Sequence, residues 1–416
     1  MEEWTAMSFG AGNRPMPRIG ERDRVVIAGA GPVGLVAANV LADAGVGVTV
    51  LEAEPRLPEN LRASTFHPPT LDMLSKFGAS RRLIEMGLVA PRLQYRDLAG
   101  WRADFDFKLI ADLTDHPFRV QCEQYKLNHV LAERLARFSH ARLEFSSPVS
   151  DVEQSASAVT VSVEGPAGRR TEVASWLIGA DGGRSRVREA LGIRLEGFTW
   201  PERFLVASTP FEFADVIPDL REVSYFADPE EWFFLLRVPG AWRAMFPTRQ
   251  EEEDAEILSD ESIQRRLLRV WKKPGAYEIA HRTLYSVHQR VAETYRKGRV
   301  LLAGDAAHLN NPLGGMGMNG GIHDALNLAE KLVRVLCGGA DESELDRYER
   351  QRRSIALEYV NNITIANKRN LETRDPQEQR RWRETMTHTA NDPALAKEYL
   401  TRVSMIASLR KAAAIQ

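Results

Sequence analysis

Residues Leu301–Gly321 read LLAGDAAHLNNPLGGMGMNGG: an apolar strand end, a Gly-Asp turn, a proline, and then Gly314, Gly315, Gly317, Gly320 and Gly321 in close succession. Glycine weakens ordered structure unless the backbone must adopt unusual dihedrals or come very close to something. A helical pattern follows over Ile322–Leu336. Where such a loop opens a helix, backbone N–H groups converge and the helix dipole favours negative charge. The segment therefore suits an anionic ligand, and Asp305 is placed to accept a hydrogen bond from a hydroxyl group.

A second glycine pattern, Gly29-x-Gly31-x-x-Gly34, stands near the start of the chain. Gly29 permits the tight turn, Gly31 lets the backbone approach a pyrophosphate, and Gly34 allows close helix–strand packing. Glu52 ends the next strand, where a carboxylate suits the two hydroxyls of an adenosine ribose. An acidic residue there disfavours a 2′-phosphate, so FAD or NAD fits better than NADP. A third pattern, Gly179-Ala180-Asp181-Gly182-Gly183-Arg184-Ser185-Arg186-Val187-Arg188, is again a close-approach turn after a buried strand. Its arginines could meet phosphates or a carboxylate, although Arg186 and Arg188 read as a solvated helix face. With a dinucleotide in view, Asp305 suits a ribityl or ribose hydroxyl. The N–H groups of Gly314–Asn319 suit the edge of a flavin ring, where negative charge develops on reduction.

These patterns need elements to hold them. Val25–Ala28, Leu35–Ala44 and Val46–Leu51 read as strand, helix and strand, the opening βαβ unit of a dinucleotide-binding fold. Leu71–Phe77, Ser80–Met86 and Tyr125–Phe138 read as helices. Arg142–Val149, Ala158–Glu164 and Arg170–Val173 read as a small meander, and Trp176–Ala180 as a buried strand. Phe204–Pro247 is strand-like and aromatic, Glu261–Trp271 helical, Val300–Ala303 another buried strand. Everything after Ile322 reads as helix, with a break near Arg374–Pro376 and a late helix over Pro393–Ala407. The fold class is α/β: a discontinuous Rossmann-like FAD-binding domain, an inserted mixed β-sheet substrate domain and C-terminal helices. The expected boundaries are a disordered leader at 1–22, the FAD-binding domain at 23–95, 118–200 and 285–370, the sheet domain at 96–117 and 201–284, and a C-terminal extension at 371–416.

Composition narrows the function classes. The chain has 416 residues, 44% hydrophobic and 27% charged, as expected of a globular protein large enough to bury a core. A formal net charge of −2 gives no field to draw it to nucleic acid or a membrane surface. No apolar run is long enough to span a bilayer. The two cysteines, Cys122 and Cys337, have no metal-ligand spacing, so no metal site is expected, and their scarcity fits a reducing cytoplasm.

Together, GAGPVG with its Glu52, GADGGRSRVR, and GDAAHLNNPLGGMGMNGGIHDALNLAEKL resemble the FAD-dependent aromatic hydroxylases. These are the single-component class A flavoprotein monooxygenases, of the para-hydroxybenzoate hydroxylase and phenol hydroxylase type. The motifs stand in that family's order, from about Arg24 to Arg352. The resemblance implies that Gly29, Gly31 and Gly34 hold the FAD pyrophosphate and Glu52 its ribose. It implies that Arg62 lies against the FAD, that Gln124 touches the ribityl chain, and that Asp181 and Gly182 serve both FAD and the nicotinamide cofactor. Asp305 would bind the ribityl or pyrophosphate region. Pro312 would border flavin and substrate, while Gly317, Met318 and Asn319 would present backbone to the isoalloxazine. The implied reaction reduces FAD with NADH or NADPH, forms a flavin C4a-hydroperoxide with O2, and hydroxylates a phenolic or heteroaromatic ring.

The substrate residues are read from the chain alone. The aromatic sheet offers Tyr225, Trp232, Phe234, Arg237, Trp242 and Arg243, about half of them on the buried face. Arg237 sits in the apolar run FFLLRV, where an unpaired charge is expensive, and is the candidate for an acidic substrate group. His67, in STFHPPTL, is a candidate for the flavin or substrate pocket. His308 reads as a packing residue, and Asp324 as a helix N-terminal carboxylate. An epoxidase or Baeyer–Villiger-type oxygenase acting on a larger polycyclic substrate is the alternative. A flavin-dependent halogenase, a prenyl-chain reductase and a non-catalytic flavin-binding protein fit less well. The expected assembly is a monomer or homodimer.

Overall fold

Val25, Val26, Ile27 and Ala28 put apolar side chains on both faces of one short strand, which requires a sheet covered on both sides. The computed structural model describes residues 24–416 apart from 60, 167 and 229; the leader expected at 1–22 lies outside the described residues. Strand Arg24–Ala28 lies between Trp176–Gly179 and Gly47–Leu51 and runs parallel to both. Val300–Leu302 and Ala141–Glu144 extend the sheet in parallel on either side, and Arg296–Lys297 closes one edge in antiparallel.

Ala141–Glu144 corrects the expected meander. Helix Gln124–Leu135 precedes it, and a helical crossover returns a strand to the parallel sheet rather than to a hairpin. The meander is Val149–Gln154, Val159–Gly165 and Gly168–Ala174.

Helix Pro32–Asp43 starts with proline at its first turn and is buried along almost its whole length. It packs against the long helix Met316–Gly338 and against Gln124–Leu135. The contact with the long helix is glycine-dependent. A Cβ on Gly304 or on Gly321 would fall 2.7 Å from the same methyl, Cγ2 of Val33.

Among the described residues, the large sheet has eight strands, from His308–Leu309 through His281–Ala292, Leu195–Thr209, Ala241–Pro247, Phe233–Val238, Val223–Phe226 and Arg92–Arg96 to Arg102–Asp106. Arg92–Arg96 belongs to this sheet, ahead of the boundary expected at residue 96. The ladder between Leu195–Thr209 and His281–Ala292 ties the two halves together. Leu195 and Ala292 pack into the core around the parallel sheet, while Phe204 and Leu205 pack into the two cores of the large sheet.

Alternation separates the two faces of that sheet. Tyr95, Tyr225 and Phe234 look toward the C-terminal helices Pro376–Asn391 and Pro393–Val403. Phe226, Phe233 and Leu235 look toward helix Asp260–Val270. The helix expected over Pro393–Ala407 stops at Val403, because Met405 takes a left-handed φ of 67°, and a new helix, Ile406–Ala414, follows. The Met405 side chain is fully buried against Met316 and Ile355, and that packing holds the bend. No helix among the described residues is long and apolar enough to cross a membrane.

Candidate active site

The first wall is the glycine turn after Arg24–Ala28. Gly29 has φ +99°, and a Cβ there would lie 2.5 Å from the Ala180 carbonyl oxygen. Gly34 is equally constrained, since its Cβ would meet the Gly29 carbonyl oxygen at 2.0 Å. In front of Gly31 the space is open: a Cβ would find no atom within 4 Å. Glu52 closes the turn. Its carboxylate accepts the Ala30 N–H at 2.7 Å and the Glu54 N–H at 3.0 Å. Tight backbone, an open face at Gly31 and a buried acceptor at Glu52 are what a dinucleotide cradle needs.

The second wall is the Gly304-Asp305 turn, where the Asp305 side chain reaches open space yet stands deep among protein atoms. That crowding raises its pKa, and the charges of His308 and Arg62 act against the rise. Beneath it lies a buried ionic cluster. Asp324 accepts the Gly304 N–H at 3.1 Å, His308 Nε2 at 2.7 Å and Arg352 Nε at 2.5 Å. Asp324 is fully buried, but Arg352 and His308 hold its pKa down at about 2. The expectation of a helix N-terminal carboxylate is corrected: the helix starts at Met316, so Asp324 lies well inside it and faces the turn. His308 is this carboxylate's partner as well as a packing residue.

Asp181 faces its own loop. Its carboxylate accepts from Ser185 Oγ at 2.5 Å and from the Val187 N–H at 3.1 Å, and burial raises its pKa. Gly182 follows with φ +80°. Arg188 is a correction. It is buried rather than solvated, and it donates to the carbonyls of Gly183 and Ala306 at 3.0 and 3.1 Å, joining its own glycine motif to the Gly304-Asp305 turn. Gln124 starts its helix with its N–H on the Ala63 carbonyl at 3.0 Å, next to exposed Arg62.

The loop Asn310–Gly315 joins these walls to the large sheet. Pro312 is half-buried, and its carbonyl accepts the Gly315 N–H at 2.9 Å. In the first turn of Met316–Gly338, the N–H groups of Met316, Gly317 and Met318 have no acceptor within the helix. Asn319 acts through its side chain, donating to the carbonyls of Thr65 and Gly315 at 2.8 and 2.7 Å and accepting the His67 N–H at 3.0 Å. His67 is fully buried and supports the loop from behind, with Nε2 2.8 Å from the Gly314 carbonyl oxygen. Desolvation and nearby Arg119 push its pKa well down, so the ring is neutral.

Over this loop stands a cluster of phenols. Tyr225 OH accepts the Gly314 N–H at 3.1 Å. Its ring stacks on Tyr95 at 5.3 Å, and Tyr399 OH lies 2.9 Å from Tyr95 OH. Burial raises all three phenol pKa values, that of Tyr399 to about 12, so they remain protonated donors. A cavity of ≈ 580 Å³ opens beside them, walled by Tyr95, Tyr399, Trp382, Met386, Val403 and Asn367. Arg119, 1% exposed, hydrogen-bonds Tyr225 of the cluster.

Arg237 is a correction. Odd-numbered residues of Phe233–Val238 face away from the phenols, and Arg237 pairs with Glu212 at 2.6 Å on that far side. Glu212 also accepts from Trp242 Nε1 at 2.6 Å, so the charge is spoken for. Arg119 is a site residue absent from the sequence-based expectations, although PFRVQC, an arginine amid apolar residues, carries the same signal as FFLLRV.

A family model described as "FAD binding domain" matches residues 22–363. The chain is similar to the para-nitrophenol 4-monooxygenase of Pseudomonas sp. (strain WBC-3), with 34% identity over 91% of this chain and 94% of that protein. It is also 34% identical to the 6-hydroxy-3-succinoylpyridine 3-monooxygenase HspB of Pseudomonas putida, over 86% of this chain and 91% of that protein. Among solved structures, p-nitrophenol 4-monooxygenase PnpA from Pseudomonas putida superimposes with a TM-score of 0.87 at 31% identity, covering 92% of this chain and 99% of that one. The glycine cradle, the Gly304-Asp305 turn and these relatives lead to one conclusion: the chain belongs to the FAD-binding-domain family and is a flavoprotein monooxygenase of the aromatic-hydroxylase class.

Proposed function

We propose that the enzyme hydroxylates a single phenolic or hydroxypyridine ring, taking two electrons from NADH or NADPH, placing one atom of O2 on the ring and releasing the other as water. The observation that carries this reading is the Gly314 N–H donated to Tyr225. It joins the loop on the cofactor side to the aromatic sheet, where Tyr225 stacks on Tyr95, a wall of the ≈ 580 Å³ cavity. The two relatives named for a nitrophenol and a hydroxypyridine support the same class.

Bound FAD supplies the electron carrier and the O2-activating centre. Gly29, Gly31 and Gly34 would line its pyrophosphate, Glu52 its adenosine ribose, and Arg62, Gln124 and Asp305 the ribityl side. Met316, Gly317 and Met318 would turn free N–H groups toward the ring edge, with Pro312 between ring and substrate. Asp181 and Gly182 would shape the approach of the nicotinamide. Tyr95, Tyr225 and Tyr399 would orient the ring hydroxyl by hydrogen bonds. Trp382, Met386 and Val403 would keep water from the reacting atoms. In this reading the nucleotide half ends before Arg92, and the large sheet with the C-terminal helices forms the substrate half.

The test uses purified enzyme with FAD. NAD(P)H oxidation should be slow alone and accelerate with a small phenol or hydroxypyridine, with product mass increased by one oxygen atom. A broad panel that neither stimulates oxidation nor yields an oxygenated product sinks the reading.

A further inference from the structure

Arg119 is a buried cation without a carboxylate. It is 1% exposed, on strand Arg119–Gln121 between Thr65–Phe66 and Leu88–Ala90. Among the described residues no Asp or Glu pairs with it. Nη2 donates to the Val403 carbonyl oxygen at a long 3.4 Å, the guanidinium also hydrogen-bonds the neutral Tyr225 phenol, Nε has no partner, and the Phe107 ring centre lies 5.4 Å away. The groups that feel its charge are the phenols of Tyr225, Tyr95 and Tyr399, and His67. A buried charge is normally paired, because desolvation is costly. Val403, whose carbonyl takes the Arg119 bond, lines the ≈ 580 Å³ cavity together with Tyr95 and Tyr399.

Resting on the proposed function, we infer that Arg119 is the counter-charge for an anionic substrate, and that the phenols relay it. A ring bearing an oxyanion would accept O–H bonds from the tyrosines while Arg119 supplies the positive potential behind them. In the low-dielectric interior that potential is strong and little screened. Arg119 acts through other groups, so it is a positioning and specificity residue rather than a catalytic one. The free protein then carries an unneutralised charge that binding neutralises. Removing the charge should therefore leave the free protein no less stable while removing the preference for anions.

The test measures binding to FAD-loaded enzyme and thermal stability of the free protein. Two pairs of probes differ in charge but little in shape: 4-nitrophenol against 4-nitroaniline, and 4-hydroxybenzoate against 4-hydroxybenzamide. Selectivity in the first pair places the anion on the ring oxygen, in the second on a carboxylate. Wild type should prefer the anion of at least one pair by about tenfold, equivalent to ~1.4 kcal/mol. Arg119→Met should abolish that preference with an unchanged or higher Tm, and Arg119→Lys should retain part of it. A folded, FAD-bound Arg119→Met protein that keeps the preference overturns the inference, as does wild type with no preference in either pair. A large fall in Tm for both variants overturns it too, because it marks a structural arginine. If wild type binds none of the four and no phenol stimulates it, the functional reading falls as well.

Discussion

The phenol oxygen of Tyr225 accepts the Gly314 N–H at 3.1 Å, across 89 residues of chain. This bond makes a residue of the aromatic sheet part of the loop that opens the long helix. The Gly314 carbonyl is held from the other side by His67. The loop is thus clamped at both ends of one peptide neighbourhood, and its position depends on both halves of the molecule.

Tyr225→Phe leaves that buried N–H without an acceptor, at a cost of about 1–3 kcal/mol. A shift of the loop by a fraction of an ångström should lower hydroxylation up to ~100-fold. Comparing product formed with NAD(P)H consumed checks this: the variant should still oxidise NAD(P)H but yield less hydroxylated product.

Glu52→Gln keeps the shape of the carboxylate that closes the glycine turn but loses its charge. Hydrogen bonds to a charged group are worth about 1.5–3 kcal/mol, so FAD should bind at least about tenfold more weakly. Recovery of flavin fluorescence on dilution measures it. Unaltered retention would separate Glu52 from the cofactor.

Asp324→Asn removes the carboxylate that, among the described residues, pairs with Arg352 in the buried cluster. Leaving one member of a buried ion pair uncompensated costs about 3–5 kcal/mol. Denaturant titration should show that loss, with a matching loss of FAD because Gly304 is held by the same carboxylate.

Two histidines are buried and held neutral by desolvation: His67, and His323, whose pKa falls to about 3. Unfolded, each takes a proton near the ordinary value of 6.5. The unfolded state therefore binds more protons below that pH, and stability falls as the solution is acidified. The slope approaches ~1.4 kcal/mol per pH unit for each histidine. Unfolding midpoints between about pH 7 and about pH 5 should show it, and His323→Gln should reduce it by roughly one proton.

Arg237→Met should leave substrate stimulation unchanged within about twofold, since the lost partner is a half-exposed ion pair worth at most ~1 kcal/mol. A selective loss of substrate response would return Arg237 to the site.

The parts legible in the sequence were those where the backbone itself is constrained. Gly29, Gly34 and the Gly304-Asp305 turn are readable because only glycine fits there, and the apolar strands beside them because burial demands it. The aromatic sheet was less readable. Arg119 and Arg237 both sit among apolar residues, and what separates them is parity along a strand and the presence of Glu212, a tertiary fact. Asp324 and Arg188 looked like surface charges because their partners, Arg352 and the carbonyls of Gly183 and Ala306, come from distant segments. The edge strand Ala141–Glu144 was misplaced because four residues do not specify which sheet will take them.

The Val33 methyl that lies 2.7 Å from where a Cβ of Gly304 and a Cβ of Gly321 would each stand has a consequence for how this chain can evolve. Three positions from distant parts of the sequence share one volume, so none can change size alone. A side chain gained at 321 would need atoms lost at 33 and a shift of the Gly304 backbone, and one gained at 304 would also strain a φ of +63°. The eight-stranded sheet carries no part of this constraint. The junction of the first helix, the Gly304 turn and the long helix therefore changes as a unit or not at all.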